Sequence, residues 1–265
     1  MRNLFVTDLD GTFVKDSVTV NAADLAAYHT AKELGDFSIA TGRSLAEIQY
    51  IVQGNDLDVT HMIGFNGAVV TRYAQLLAEH HLPEDVTPKL LAYFKEHKLI
   101  FDALDGQRRI GNFDHEQKQR LWNMPLICLP DPYPALEGHR LYKVNVRPSA
   151  ETADFYLADL QANFPQLATY KSGSTRLEVT AQGVSKASGL AIIRPDYDRL
   201  VVFGDSGNDS DMFAVADISY CMDHAPAEVQ AQAIHVVASF ADAMAHFQAH
   251  YLLSLIHISE PTRPY

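Results

Sequence analysis

The chain opens on a short apolar run, Phe5-Val6-Thr7, that ends in Asp8-Leu9-Asp10-Gly11-Thr12. The run predicts a buried strand, and Gly11-Thr12 predicts a turn directly after it. Asn21 then offers an N-cap for a helix with Leu25, Tyr28 and Leu34 near one face and Gly35 as its stop. Phe37-Ser38-Ile39-Ala40 predicts a second strand, leading into Thr41-Gly42-Arg43-Ser44. Ser44 caps a helix carrying Leu45, Ile48, Ile51 and Val52 before Gly54. Met62-Ile63-Gly64-Phe65 predicts a third strand, and Asn66-Gly67 before Ala68-Val69-Val70 is a hairpin signal.

From Leu82 the texture changes. Thr87-Pro88 predicts an N-cap with proline at the first helical position, followed by an apolar stripe of Leu90, Leu91 and Phe94. Weaker strand signals surround Leu99-Ile100-Phe101 and Arg109-Ile110. Prolines 125, 130, 132 and 134 argue against regular structure between Met124 and Pro134. Tyr142 to Val146 alternates as a half-buried strand does. A helix over Ser149 to Asn163 and strands at Ala168 to Tyr170 and Arg176 to Thr180 complete the segment. Alternating strands predict an antiparallel sheet with one solvated face and helices on the other.

Parallel-sheet texture returns at Ser185, which caps a helix through Ile193 until Arg194-Pro195 breaks it. Leu200-Val201-Val202-Phe203 is a wholly apolar strand, and Gly204-Asp205-Ser206-Gly207-Asn208-Asp209 forms an acidic loop before the helical Met212 to Ala216. Strands at Ile218 to Cys221 and His235 to Val237 flank a helix from Pro226 to Ala233, and a last helix starts near Ala241. Residues 254–265 lack amphipathic order and read as a tag- or vector-derived tail.

At 265 residues and 47% hydrophobic, the chain suffices for two modules around buried cores. A formal net charge of -12 argues against nucleic acid or an anionic membrane as main partner, since both repel acidic surfaces. Cys128 and Cys221 are too few for a disulfide framework and lie in no metal-binding spacing. With no signal peptide or long apolar run, a soluble cytoplasmic protein is expected, monomeric or homodimeric.

The chemistry collects at strand ends and helix starts. In an extended segment alternate side chains share a face, so Asp8 and Asp10 both look out of a strand's carboxyl end, where open α/β sheets place ligands. Thr41, Lys186, Asp205, Asn208 and Asp209 converge there if one sheet carries all these segments. Oxygen ligands without Cys or paired His suit a hard cation with places left for water and phosphate, favouring Mg²⁺. Each residue also has a plainer use. Thr41 serves equally as a turn residue, Lys186 as an exposed first-turn lysine, and Asp205 and Asp209 as helix caps. Asn66-Gly67 serves as the hairpin turn, and Arg43 as a surface pair.

Together, Asp8-Leu9-Asp10-Gly11-Thr12, Ala40-Thr41-Gly42-Arg43, Gly183-Val184-Ser185-Lys186 and Gly204-Asp205-Ser206-Gly207-Asn208-Asp209 resemble, in order, the four motifs of the haloacid dehalogenase superfamily. The insertion between the second and third resembles the type IIB cap of its Cof-type phosphatase branch. That resemblance implies an α/β fold: a Rossmann-like parallel-sheet core over 1–81 and 184–253, and an inserted α+β cap over 82–183. It implies a Mg²⁺-dependent phosphatase acting on a small phosphorylated metabolite, such as a sugar phosphate or cofactor precursor, through an aspartyl-phosphate.

By the same resemblance Asp8 is the nucleophile, and Asp10 is the general acid, with a pKa raised by burial or hydrogen bonding. Thr41 binds the phosphoryl oxygens and Lys186 neutralises them. Asp8, the Asp10 carbonyl and Asp205 hold the metal, with Asn208 and Asp209 completing or orienting the shell. Thr12, Gly42, Arg43, Asn66 and Gly67 are carried as substrate-binding. Glu178 and Arg176 face either cleft or solvent. The rivals are a phosphomutase of the same branch, a phospho-aspartate signalling receiver, and a phosphometabolite-binding protein without activity. One departure stands out: Met222-Asp223-His224-Ala225 replaces the small turn the family commonly shows there.

Overall fold

The computed structural model describes residues 1–115, 124–172 and 174–252. The tail expected over 254–265 lies outside them. The opening apolar run is β1 (Asn3–Thr7), buried along its whole length because both faces are covered. Phe5 turns to a cluster with Phe13, Phe37, Phe203 and Phe240, whereas Leu4 and Val6 pack with Leu190, Leu200 and Met212 on the opposite side. Such two-sided burial is what a continuous apolar strand requires, and each large side chain so buried is worth roughly 2 kcal/mol.

β1 pairs in parallel with β2 (Gly35–Ala40) on one side and β12 (Arg199–Gly204) on the other. The full order is β14-β13-β12-β1-β2-β3-β4-β5, with β3 (His61–Gly64), β13 (Ile218–Met222) and β14 (His235–Val237) also parallel. The chain therefore leaves β1 toward one edge and returns on its other side, a topological switch point. In register, Thr7 lies opposite Ile39 and Phe203, which brings the residues following all three strands to one level.

Helix caps match the expected starts. Asn21 caps α1 (Ala22–Leu34), Ser44 caps α2 (Leu45–Gly54) in a capping box with Glu47, and Ser185 caps α6 (Lys186–Ile193). β3 and β4 (Val69–Arg72) form the expected hairpin, but not through a two-residue turn. Phe65 and Asn66 adopt left-handed angles, because their N–H groups are drawn to Arg43 O at 2.8 Å and Thr41 O at 2.9 Å. Gly67 follows at φ 105°, and any Cβ there would stand 2.0 Å from Ser185 O. β5 (Gln75–Glu79) is an exposed edge strand without alternation, and the sequence offered no signal for it.

The second sheet runs β10-β11-β9-β6-β7-β8. It comprises β6 (Phe101–Leu104), β7 (Arg109–Gly111), β8 (Leu126–Cys128), β9 (Lys143–Val146), β10 (Leu167–Lys171) and β11 (Leu177–Ala181). Its pairs are antiparallel except β7 with β8. On one face Phe101, Val144, Val146 and Val179 pack under α3 (Thr87–Glu96) and α5 (Ala153–Asn163).

Three expectations need correction here. The proline-rich segment holds β8 and a short α4 (Tyr133–Leu136), because Pro125 precedes β8, Pro130 and Pro132 lie between the two elements, and Pro134 sits in a first turn, where no N–H is needed. Val86, not Thr87, caps α3, and the Thr87 hydroxyl instead donates to Pro83 O. The polar face of the sheet is not solvated: Asp102, Lys143, Asn145 and Glu178 are all buried, Lys143 and Glu178 against Gly42 and Asn66 of the first module. Among the described residues no helix is long and apolar enough to cross a membrane.

One buried group gives the core a titration signature. His61 shares Nδ1 with Ser38 Oγ at 3.0 Å, while its Nε2 has no partner among the described residues. Burial, aided by Arg72, holds its pKa down to about 4, against about 6.5 in an unfolded chain. Protons then bind the unfolded state more tightly, so stability is full above pH 6.5 and falls as the pH drops toward 4. Urea midpoints measured across that window should fall more steeply for the native chain than for His61→Gln.

Candidate active site

Asp8 follows β1, Thr41 follows β2 and Asp205 follows β12, so three adjacent strand ends deliver their side chains to one edge. The first residue of α6, Lys186, reaches into the same place. Its ammonium donates to Asp8 Oδ1 at 2.6 Å and to Asp209 Oδ1 at 2.7 Å, and its side chain is wholly buried. Carboxylate oxygens of Asp8, Asp205 and Asp209 lie within 4.8 Å of one another. Asp209 is tied from behind, since its Oδ2 accepts the N–H groups of Asp205 and Ser206, both at 3.0 Å. That leaves Asp8 and Asp205 as the carboxylates with ligand capacity.

The electrostatics are those of a site short of positive charge. Burial pushes the Asp8 carboxyl up to about 8, with Asp209, Asp205 and Asp10 adding to burial and Lys186 opposing it. Burial also raises Asp205, again reinforced by Asp209. Against burial, Asp209 and Asp8 push the Lys186 ammonium upward, so it stays charged. Three carboxylates facing one ammonium, with all donors oxygen, fit a hard divalent cation. Gly11 makes the crowding possible: at φ 88°, any Cβ there would lie 2.2 Å from Asp205 Oδ2.

The remaining expected residues are placed as follows. Thr41 is buried, and its Oγ1 lies 3.4 Å from the Arg43 N–H that it accepts. Thr12 is fully buried and donates to Asp205 Oδ1 at 3.1 Å, so it orients that carboxylate. Asn208 takes the Ser206 hydroxyl at 2.5 Å and donates to Asn66 Oδ1 at 3.2 Å. Gly67 closes the hairpin loop against Ser185. Asp10 departs from its expected setting. Its side chain is 49% exposed, and Arg43 grips it through Nε to Oδ2 at 2.8 Å and Nη2 to Oδ1 at 2.5 Å. Arg43 is thus a buried clamp on Asp10 and not a surface pair.

Lys143, which sequence reasoning missed, enters from the second sheet. Its ammonium donates to Gly42 O at 2.7 Å and lies 3.3 Å from Glu178 Oε2. Glu178 in turn accepts from Asn66 Nδ2 at 2.6 Å, which answers the open question of its direction: it faces the cleft. Despite burial, Lys143 and Arg176 hold the Glu178 carboxyl down to about 2. The alternation Lys143-Val144-Asn145-Val146 was the available signal, but nothing in it tells solvent from a facing module. His224, in the turn that departs from the usual pattern, lies 3.4 Å from Asp205 Oδ2. A cleft of about 540 Å³ adjoins the site, with Tyr170, Lys171 and Glu178 on one wall and Ser206, Asn208 and Gln232 on the other. A larger groove, about 740 Å³, runs between α3 and α4, and no expected site residue lines it.

A mainly parallel sheet with an inserted α+β cap and three carboxylates at its switch point make a site suited to a hard cation and an anionic ligand. The chain belongs to the haloacid dehalogenase-like hydrolase family, which it matches over residues 5–247, and within it to the Cof-type branch. It is 26% identical over 233 residues to the 5-amino-6-(5-phospho-D-ribitylamino)uracil phosphatase YitU of Bacillus subtilis, covering 83% of this chain and 86% of that protein. Its fold is similar to a haloacid dehalogenase-like hydrolase from B. subtilis (TM-score 0.81, 15% identity, 93% and 99% of the two chains). It is likewise similar to the subclass IIB sugar phosphatase BT4131 (TM-score 0.77, 20% identity, 93% and 99%).

Removing the single ammonium should expose the charge imbalance. Lys186→Met is expected to cost about 3 kcal/mol of unfolding free energy in metal-free buffer, the scale of a broken buried pair. Millimolar Mg²⁺ should recover part of that loss in the same urea titration.

Proposed function

We propose that the protein is a Mg²⁺-dependent phosphatase of a small phosphate monoester, a sugar phosphate or phosphorylated cofactor precursor, working through a phosphorylated Asp8. The observation that carries this reading is the Asp8 carboxylate at the end of β1, bonded to buried Lys186 and grouped with Asp205 and Asp209. The phosphatase activity in the name of the B. subtilis relative supports it.

In this reading an Asp8 oxygen attacks phosphorus, and the ester oxygen leaves with a proton from Asp10. The Asp10 carboxylate then takes a proton from water as that water attacks phospho-Asp8, releasing phosphate and restoring both aspartates. Arg43 fixes the Asp10 carboxyl through both of its oxygens, and so sets the position from which that proton is delivered. Lys186 neutralises charge on Asp8 and on the transferred group, and the buried Thr41 hydroxyl lies beside the position of the phosphoryl oxygens. Asp8, Asp205 and the Asp10 carbonyl would hold Mg²⁺, with Asp209 and Asn208 orienting that shell. The ion would supply positive charge for the phosphate and bring the Asp8 carboxyl back to its ionised form. The leaving group occupies the cleft between Tyr170, Lys171 and Glu178 and the Ser206–Ser210 loop, whose hydroxyl and amide lining suits a polyhydroxylated body.

Phosphate release should be assayed over a panel of phosphorylated metabolites with Mg²⁺, including 5-amino-6-(5-phospho-D-ribitylamino)uracil. At least one ester should turn over, EDTA should stop the reaction, and Asp8→Asn should lower kcat by at least about a thousandfold. Full activity in Asp8→Asn, or isomerised sugar phosphate without free phosphate, would overturn the reading.

A further inference from the structure

Glu47, the third residue of α2, is almost inaccessible to solvent, and both its oxygens are engaged. Oε2 accepts from Ser44 N at 2.8 Å and Ser44 Oγ at 2.7 Å, closing the capping box. Oε1 accepts from Arg109 Nη2 at 2.6 Å, although Arg109 belongs to β7 in the cap. The other arm of the same guanidinium, Nη1, lies 3.1 Å from Asp102 Oδ2. Asp102 is fully buried and also takes Arg147 Nη2 at 3.0 Å and Asn145 Nδ2 at 2.8 Å, so its place within the cap is secured without the core. A single planar fork therefore spans one carboxylate of the cap and one of the core.

The core partner is no incidental surface group. Glu47 caps the turn Thr41 to Ser44, and that turn carries Arg43, whose side chain clamps Asp10. We infer that Arg109 is a positioning residue that makes the Arg43 clamp on Asp10 depend on where the cap sits. With the cap on the core, Arg109 neutralises Glu47 and fixes its carboxylate on Ser44. When the cap lifts, Arg109 leaves with Asp102, and the freed Glu47 oxygen turns to water, loosening the turn that presents Arg43. Arg is the residue this bridge needs, since its fixed fork serves two carboxylates at once and a lysine ammonium cannot.

The inference rests on the phosphatase reading for its catalytic consequence, and a leaving-group comparison tests it. Ribose 5-phosphate needs a proton for its departing alkoxide, whereas p-nitrophenyl phosphate does not. Arg109→Met should lower kcat for ribose 5-phosphate about tenfold and for p-nitrophenyl phosphate by less than about threefold. Glu47→Gln added to Arg109→Met should cost little more, because both act on one contact. Arg109→Lys keeps the charge, guards against a variant that fails to fold, and should show the same leaving-group dependence in weaker form. Equal losses on both esters, or strictly additive losses, would overturn the inference.

If the wild-type protein released phosphate from no ester of the panel, these two included, the phosphatase reading would be at fault. Amide hydrogen exchange then decides the coupling by itself. The Ser44 to Glu47 amides should gain exchange rate in Arg109→Met beyond any gain of the α1 amides, which report a general loss of stability. Unaltered exchange would contradict the bridge.

Discussion

Crowding of three carboxylates within 4.8 Å at the end of a buried strand is the constraint on which this structure depends. Like charges so close resist ionisation, and burial raises the penalty. The surrounding elements answer that penalty one by one. α6 begins at Lys186 and places its ammonium between Asp8 and Asp209. The loop after β12 folds back so that its own N–H groups satisfy Asp209. Thr12 donates to Asp205, and Gly11 leaves out the Cβ that would collide with it. In the proposed enzyme a divalent cation would complete the compensation and supply the positive charge that draws phosphate to an acidic edge.

Much of the fold was legible because the chain marks it twice, by apolar texture and by caps. β1, β2 and β12 are apolar runs covered on both faces, and α1, α2 and α6 start at Asn21, Ser44 and Ser185 as their side chains require. What escaped has a physical reason in each case. β5 is an exposed edge strand whose Gln75-Leu76-Leu77-Ala78-Glu79 carries no alternation. β8 and α4 are too short for any period to register among their prolines. The cap sheet was read as an alternating strand set, but its polar face is buried because it packs on another polar surface, the mouth of the site.

The same distinction governs the site. Asp8, Lys186 and Asp209 come together across 178 and 23 residues of sequence, and ordered motifs at strand ends anticipated that meeting. Contacts between modules were not legible. Lys143 on Gly42 O, Glu178 on Asn66 and Arg109 on Glu47 join residues whose local patterns carry no trace of one another. Arg43 is intermediate: its nearness to the site followed from its position, whereas its two-point hold on Asp10 required the side-chain geometry. These intermodular contacts bear on specificity and cap motion, the two properties that ordered motifs describe least.

The central claim is that Asp8 takes the phosphoryl group covalently. Acetyl phosphate tests it most directly, because its leaving group needs no proton. In Asp10→Asn, attack by Asp8 should proceed while hydrolysis of the intermediate is slowed. Acid-quenched protein, digested and weighed by mass spectrometry, should carry one phosphate on the peptide containing Asp8, and the same peptide from the Asp8→Asn, Asp10→Asn double variant should carry none. Free phosphate appearing at the wild-type rate with that peptide unmodified would contradict the account.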